Sequence, residues 1–285
     1  MVEALWWSGR SRLLPDRRTA APRAAGFVSA VTALLAAPPA FAAAAVAVSP
    51  TVVAISAAKP TELVSLTNRG EEPVRFQVSL EAWDQRPNGE AVMTPTQDIV
   101  VFPPLLALAP HETKKLRIGA AIPFGDREVS YRMAVQELPS ATPDSGGGQV
   151  TILTRLSLPI FLQPAKALTA PRLAAPALAD GVLSFTVENS GTAHFVVRQL
   201  KITGDDGAAG TTFEIAQAGW YVLAGGRTQY RLALAAAACR KTRHARVAAT
   251  IGDGEVDAEL DIAPAACGGA AETKFIAADA APAAP

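Results

Sequence analysis

Residues 149–164, QVTILTRLSLPIFLQP, decide how the rest of this chain is read. Large aliphatic residues fall at Val150, Ile152, Leu156, Leu158 and Ile160, a period of two interrupted only by Thr154. The other face carries Thr151, Leu153, Arg155, Ser157, Pro159 and Phe161. That alternation spells a strand with one apolar and one mixed face. Roughly a dozen residues at about 3.3 Å each would span about 40 Å, well beyond the usual five or six residues. Such a strand can pair inside its own domain at one end and present a free edge at the other. Pro159 suits an edge, because proline has no N–H to give to a ladder. Proteins normally suppress free apolar edges, so keeping one points to use, and adding a strand to a partner is the evident use. The plainer alternative is an ordinary sandwich strand whose aliphatic face is core.

The start of the chain reads as an export signal. Arg10, Arg12, Arg17, Arg18 and Arg23 precede an apolar run at residues 26–35, and small residues at Ala40 and Ala42 follow. The pattern predicts a signal peptide over residues 1–42, cleaved after Ala42. An uncleaved anchor is the rival, but Pro38-Pro39 and the many alanines make a poor spanning helix, which needs about 20 strongly apolar residues. Arg17-Arg18 is followed by Thr19-Ala20 rather than apolar residues, which favours the general export route over the twin-arginine one. The long basic region also leaves the choice of Met1 as start codon open. The chain holds 26 basic and 26 acidic residues; residues 1–42 hold five Arg against Glu3 and Asp16, net +3, leaving the mature chain near −3. No basic stripe of the kind nucleic acid requires remains. A mature length of about 240 residues suits two domains.

Only two cysteines are present, Cys239 and Cys267. In an exported chain an even pair reads as one disulfide, contributing roughly 3–4 kcal/mol on the chain-entropy view. Two cysteines so far apart and the scattered His111, His194 and His244 make no metal site.

From Val46 the pattern is all-β. Residues 46–55 read as a first strand, with Pro50 marking an edge or a switch between sheets. Residues 62–67, 74–83, 99–102, 114–118 and 131–138 follow, separated by turn clusters such as Asn68-Arg69-Gly70 and Pro87-Asn88-Gly89. In residues 74–83 the alternation is cleanest: Val74, Phe76, Val78, Leu80 and Ala82 against Arg75, Gln77, Ser79, Glu81 and Trp83, a half-buried strand with one wet face. Short strands with turn signals at this spacing predict an immunoglobulin-type sandwich.

The order of these pieces resembles the N-terminal domain of the PapD-like periplasmic pilus chaperones. VSPTVV (48–53) is similar to the family's opening strand and LVSLTNRGEEPVRFQVSLEAW (63–83) to its second and third. DIVVFPPLLALAPHETKKLRI (98–118), YRMAVQELP (131–139) and LTRLSLPIFLQP (153–164) follow in the family's order. The resemblance implies two immunoglobulin-like β-sandwich domains joined at an angle, no catalysis, no cofactor, and donor-strand complementation of pilin-like subunits in the periplasm, with an outer-membrane usher as a further partner. Pilin subunits lack one strand, and a donor strand fills the gap; pilus chaperones are a known instance of strand addition. By register, Val150, Ile152, Thr154, Leu156 and Leu158 are the candidate donor residues, with Leu158 also a candidate for ordinary core. The family places an arginine and a lysine where they hold the subunit's terminal carboxylate. Here Val52 and Pro159 stand at those positions, so the usual anchor is missing. Arg155 is the first substitute, because a guanidinium fork can hold a carboxylate at two points; Arg132 is second and Arg117 third.

Residues 46–164 are thus the expected first domain, Ala- and Pro-rich residues 165–176 the linker, residues 177–267 a second sandwich, and residues 268–285 a disordered tail. Gly252-Asp253-Gly254 between alternating runs predicts a hairpin. Nucleophile-elbow, metalloprotease and phosphate-loop patterns are all missing from the sequence. Arg240, Lys241, Arg243, His244 and Arg246 read as a solvated turn, with an acidic partner or a membrane surface as the rival. The expected function is a pilin-capping chaperone; the alternative is an exported structural or adhesin module of a surface assembly.

Overall fold

The computed structural model describes residues 46–139, 152–208 and 210–276. The expected signal peptide, Val150 and the glycines at 146–148 lie outside them. The stretch read as one opening strand is two strands in different sheets. β1 (Val46–Ser49) pairs antiparallel with β3 (Thr61–Asn68), whereas β2 (Val53–Ser56) joins the opposite sheet. The chain crosses between sheets at residues 50–52, as Pro50 hinted. Next comes β4 (Val74–Gln85), where Val74, Phe76 and Val78 are buried and Arg75, Gln77 and Ser79 exposed. After it come β5 (Ala91–Pro95), β6 (Ile99–Phe102), β7 (Leu105–Leu108), β8 (Thr113–Ala120), β9 (Val129–Glu137) and β10 (Arg155–Gln163).

One sheet has the order β1-β3-β8-β6; the other runs β2-β10-β9-β4-β5, with β7 beside the start of β4. Ile55, Leu66, Phe76, Leu116, Tyr131, Met133 and Ile160 are fully buried between them. Tyr131 donates its hydroxyl to Asp98 Oδ2 at 3.1 Å, and burial pushes its phenol pKa upward.

The second sandwich comprises β11 (Pro171–Ala179), β12 (Val182–Asn189), β13 (Phe195–Asp205), β14 (Thr211–Ala218), β15 (Tyr221–Val222) and β16 (Arg227–Ala233). After the single turn of α1 (Ala236–Cys239) come β17 (His244–Ile251), β18 (Gly254–Asp261) and β19 (Lys274–Ile276). Its sheets run β11-β12-β16-β19 and β14-β13-β17-β18, with β15 also on β13. The architecture is two immunoglobulin-like sandwiches.

Three expectations need correction, and the expected hairpin is present. The long strand is nine residues, about 30 Å; residues 152 and 153 have left the ladder, and Thr154 keeps one backbone bond to β9. Strand β11 begins inside the expected linker, because it is a sheet edge where Pro171 and Pro176 need donate nothing outward, and a register shift between Ala174 and Ala177 absorbs Pro176. Within the expected tail, β19 pairs with β16 through Arg231, Leu232 and Ala233. In the β17–β18 hairpin the two loop residues are Gly252 and Asp253, and Gly252 supplies the positive φ of 58° at the first loop position.

Cys239 and Cys267 form the disulfide, with Cα atoms 5.7 Å apart and 28 residues of separation. It ties α1, which follows β16, to the turn after β18. Replacing both cysteines by serine should destabilise the second domain by roughly 3–4 kcal/mol, read as a lower urea midpoint. A midpoint unchanged from wild type would mean that the bridge constrains little.

Candidate functional site

Strand β10 is paired unequally along its two edges. On one side it matches β9 from Arg155 opposite Gln136 to Leu162 opposite Val129. On the other, β2 covers only residues 160–163, running parallel from Val53 opposite Ile160 to Ser56 opposite Gln163. Among the described residues, nothing pairs with that second edge at residues 155–159. Along it Arg155 is exposed, Leu156 and Ser157 are half-buried and Leu158 and Pro159 are buried, and Pro159 has no N–H to offer there.

The side chains of β10 divide by face. Leu158, Ile160 and Leu162 belong to the first domain's core, and Leu156 packs half-buried against it. Leu158, named as a donor candidate, is only 5% exposed and already has its packing partners. Thr154 is half-buried and Ile152 is 71% exposed. The inward-facing row therefore passes from full core to open water within ten residues.

The opposite face, read as merely mixed, is covered by the second domain at Phe161 and exposed at Leu153 and Arg155. Phe161 is fully buried and clusters with Trp83 and Leu223. Its ring stacks on His194 with centroids 3.6 Å apart and 13° between planes. His194 donates Nδ1–H to Glu128 Oε1 at 2.6 Å, and its backbone N–H reaches the same oxygen at 3.0 Å. Gln85 completes the joint, donating to the Tyr221 carbonyl at 2.8 Å and accepting from the Leu223 N–H at 2.9 Å. Sequence reasoning missed Gln85, Glu128, Phe161 and His194. Trp83 alone carried a signal, as a large apolar residue ending an otherwise polar row.

The three anchor candidates separate clearly. Arg117 lies on β8 in the other sheet and is exposed. Arg155 is exposed and 3.8 Å from Glu81. Arg132 is 5% exposed, lying 4.0 Å from the Trp83 ring centre, 5.6 Å from Trp220 and 5.8 Å from Tyr221. Its Nε is buried without a hydrogen-bond partner among the described residues, and that burial lowers its pKa. Cation–π contact with a desolvated guanidinium is worth about 2 kcal/mol, less than the cost of removing an unpaired charge from water.

Two members of the basic cluster are paired locally: Arg246 bonds Asp257 and Glu255, and His244 bonds Asp261. Among the described residues there is no group of side chains suited to a metal, and no helix is long and apolar enough to cross a membrane.

Two immunoglobulin-like sandwiches, with residues 155–159 of β10 unpaired on one edge among the described residues, define the class of two-domain β-sandwich proteins. Residues 45–168 match the family described as pili and flagellar-assembly chaperone, PapD N-terminal domain. The chain is 31% identical over 173 residues to Chaperone protein FimB/FhaD of Bordetella pertussis, covering 56% of this chain and 68% of that protein. A chain of the CsuC–CsuE chaperone–tip adhesion subunit pre-assembly complex of Acinetobacter baumannii aligns with TM-score 0.55 at 20% identity, covering 75% of this chain and 98% of its own. A chain of the Salmonella enterica SafA pilin–SafB chaperone complex gives 0.51 at 16%, covering 78% and 98%. The chain belongs to the PapD-like family of pilus-assembly chaperones, a periplasmic and non-enzymatic family.

Core and open residues on the same face of β10 and the segment before it should respond differently to truncation. Leu158→Ala should cost about 2–5 kcal/mol of stability, whereas Ile152→Ala should stay within about 0.5 kcal/mol of wild type. Urea unfolding reads both, and equal losses would remove the distinction between the two ends.

Proposed function

We propose that this chaperone caps pilin-like subunits by donor-strand complementation, pairing the open edge at residues 155–159 with the subunit and inserting the side chains just before it. The observation that carries this reading is the unpaired edge leading into exposed Ile152. Val150, Ile152 and Thr154 are the inserted residues, with Leu156 at the boundary between domain core and donor. Leu158 supports them from within the domain. Each large aliphatic removed from water contributes roughly 1.5–3 kcal/mol, and the ladder adds main-chain bonds. Thr154 contributes less than an aliphatic would, so Val150 and Ile152 dominate.

Arg132 holds the subunit's terminal carboxylate in this reading. It lacks a carboxylate partner within the described chain, and an incoming one would relieve that deficit through a charge-assisted bond. Arg155 is the weaker candidate, because Glu81 already neutralises it. Delivery depends on residues 1–42 acting as a cleaved export signal, and subunit transfer on an outer-membrane usher. Residues 46–164 serve as the subunit-binding domain, and the second sandwich braces it.

Co-expression with the pilin-like subunits of the source organism, followed by affinity purification from the periplasm, tests this reading. Wild type should retain a subunit that Val150→Asp with Ile152→Asp loses. Equal retention by both would sink strand donation, and recovery of the chain within surface fibres would favour a structural or adhesin module. Arg132→Lys, which keeps the charge but not the fork, should weaken capture about tenfold, or about 1.4 kcal/mol. Arg155→Gln should change it by less than about twofold. The reverse order would move the anchor to Arg155.

A further inference from the structure

The end of the β9–β10 ladder is built by a side chain. In register, Glu137 stands opposite Thr154, one step beyond the last pair, Gln136 with Arg155. Half of the expected exchange is made: Glu137 N–H donates to the Thr154 carbonyl at 2.8 Å. The other half is diverted, because Thr154 N–H donates to the Glu137 carboxylate, Oε2, at 2.9 Å. The Glu137 carbonyl is instead approached by the Gln136 side-chain amide at 3.2 Å, which also lies 3.4 Å from the Thr154 carbonyl. Meanwhile β9 stays fastened to β4, where Phe76 is opposite Glu137 and Leu138 N–H donates to the Arg75 carbonyl at 2.8 Å.

Glu137 continues the inward row of Tyr131, Met133 and Val135, all fully buried. A carboxylate there ends the core, and its reach to the Thr154 amide turns residues 152 and 153 off the sheet, with Ile152 71% and Leu153 37% exposed. The geometry points to Glu137 as a positioning residue that fixes where the donor segment leaves its own sheet, and so which side chains are offered to the subunit. This inference rests on the strand-donation reading. It adds a residue that touches no subunit core and acts through Thr154.

Glutamine keeps a side-chain oxygen that can accept from the Thr154 amide, and alanine does not. In the intact protein, hydrogen exchange of the Thr154 amide should speed up roughly tenfold or more in Glu137→Ala. It should stay near wild type in Glu137→Gln, with the amides of Leu158, Ile160 and Leu162 unchanged in both. An unchanged Thr154 rate in Glu137→Ala overturns the assignment, since the amide then has another acceptor. With a co-expressed pilin-like subunit, Glu137→Ala should capture roughly fivefold less (about 1 kcal/mol) and Glu137→Gln should restore capture. Faster exchange with undiminished capture overturns the positioning role. If wild type captures no subunit while the exchange result holds, strand donation itself fails and the contact is only an end-cap for β10.

Discussion

The crossing of the chain between sheets at residues 50–52 is the constraint from which the open edge follows. Only four residues of β2 remain to run beside β10, and they cover residues 160–163. Had residues 46–56 stayed in one sheet, the edge at 155–159 would have been closed by the domain's own first strand. Because β1 is committed to β3 across the sandwich, the vacancy in the ladder is a consequence of topology. It does not depend on a loop being mobile. Such an edge invites indiscriminate pairing. Here the protein limits it to five residues, one of them a proline, and keeps Arg155 at its exposed end.

How much of this was legible depends on whether the cause was local. Period-two alternation marked β3, β4 and β8 because each has one face on a core and the other mostly turned to water, whereas β9 is buried on both faces; Pro50 marked the crossing because its missing donor is a local fact. The short β5 escaped because AVMTP has no alternation and ends in proline. β11 escaped because alanine and proline resemble a linker until an edge position excuses them. The two ends of the site failed for a different reason. Trp83 and Phe161 sit on a face that reads as wet unless a second domain covers it, and nothing near them announces that cover. The start of β10 depends on a contact between Glu137 and Thr154, 17 residues apart in the chain, which no periodicity encodes.

The joint between the domains bears directly on the site, because Phe161 belongs to both. Its backbone is in the ladder with β9 and β2, while its ring lies in a cluster made with Trp83, Leu223, His194 and Tyr221. Burying rings of this size contributes roughly 1.5–3 kcal/mol each, and buried aromatic pairs add about 0.5–1.5 kcal/mol. Glu128 locks the same place from below. Its Oε1 is taken twice by His194, while its Oε2 is buried without a partner among the described residues. A group left so poorly satisfied is tolerable only where the surrounding packing is strong enough to hold it.

Strand β10 and the segment before it therefore form a gradient of restraint. From Leu158 to Leu162 the strand is gripped on both faces, by the first domain's core on one side and, through Phe161, by the second domain on the other. Between 155 and 157 it keeps one ladder and one half-filled face. At 152 and 153 it has neither. Opening of a structure draws on its least stable parts first, so on the proposed reading a partner strand would join at the free end without disturbing the core that positions it. On the proposed reading, the anchor need not stand on β10. Arg132 is opposite Pro159 on β9, level with the point where restraint becomes complete, and its charge is held by rings contributed by both domains. A ligand that satisfied it would be fixed against the rigid end of the strand, with the rest of its length running back along the edge that is free to accept it.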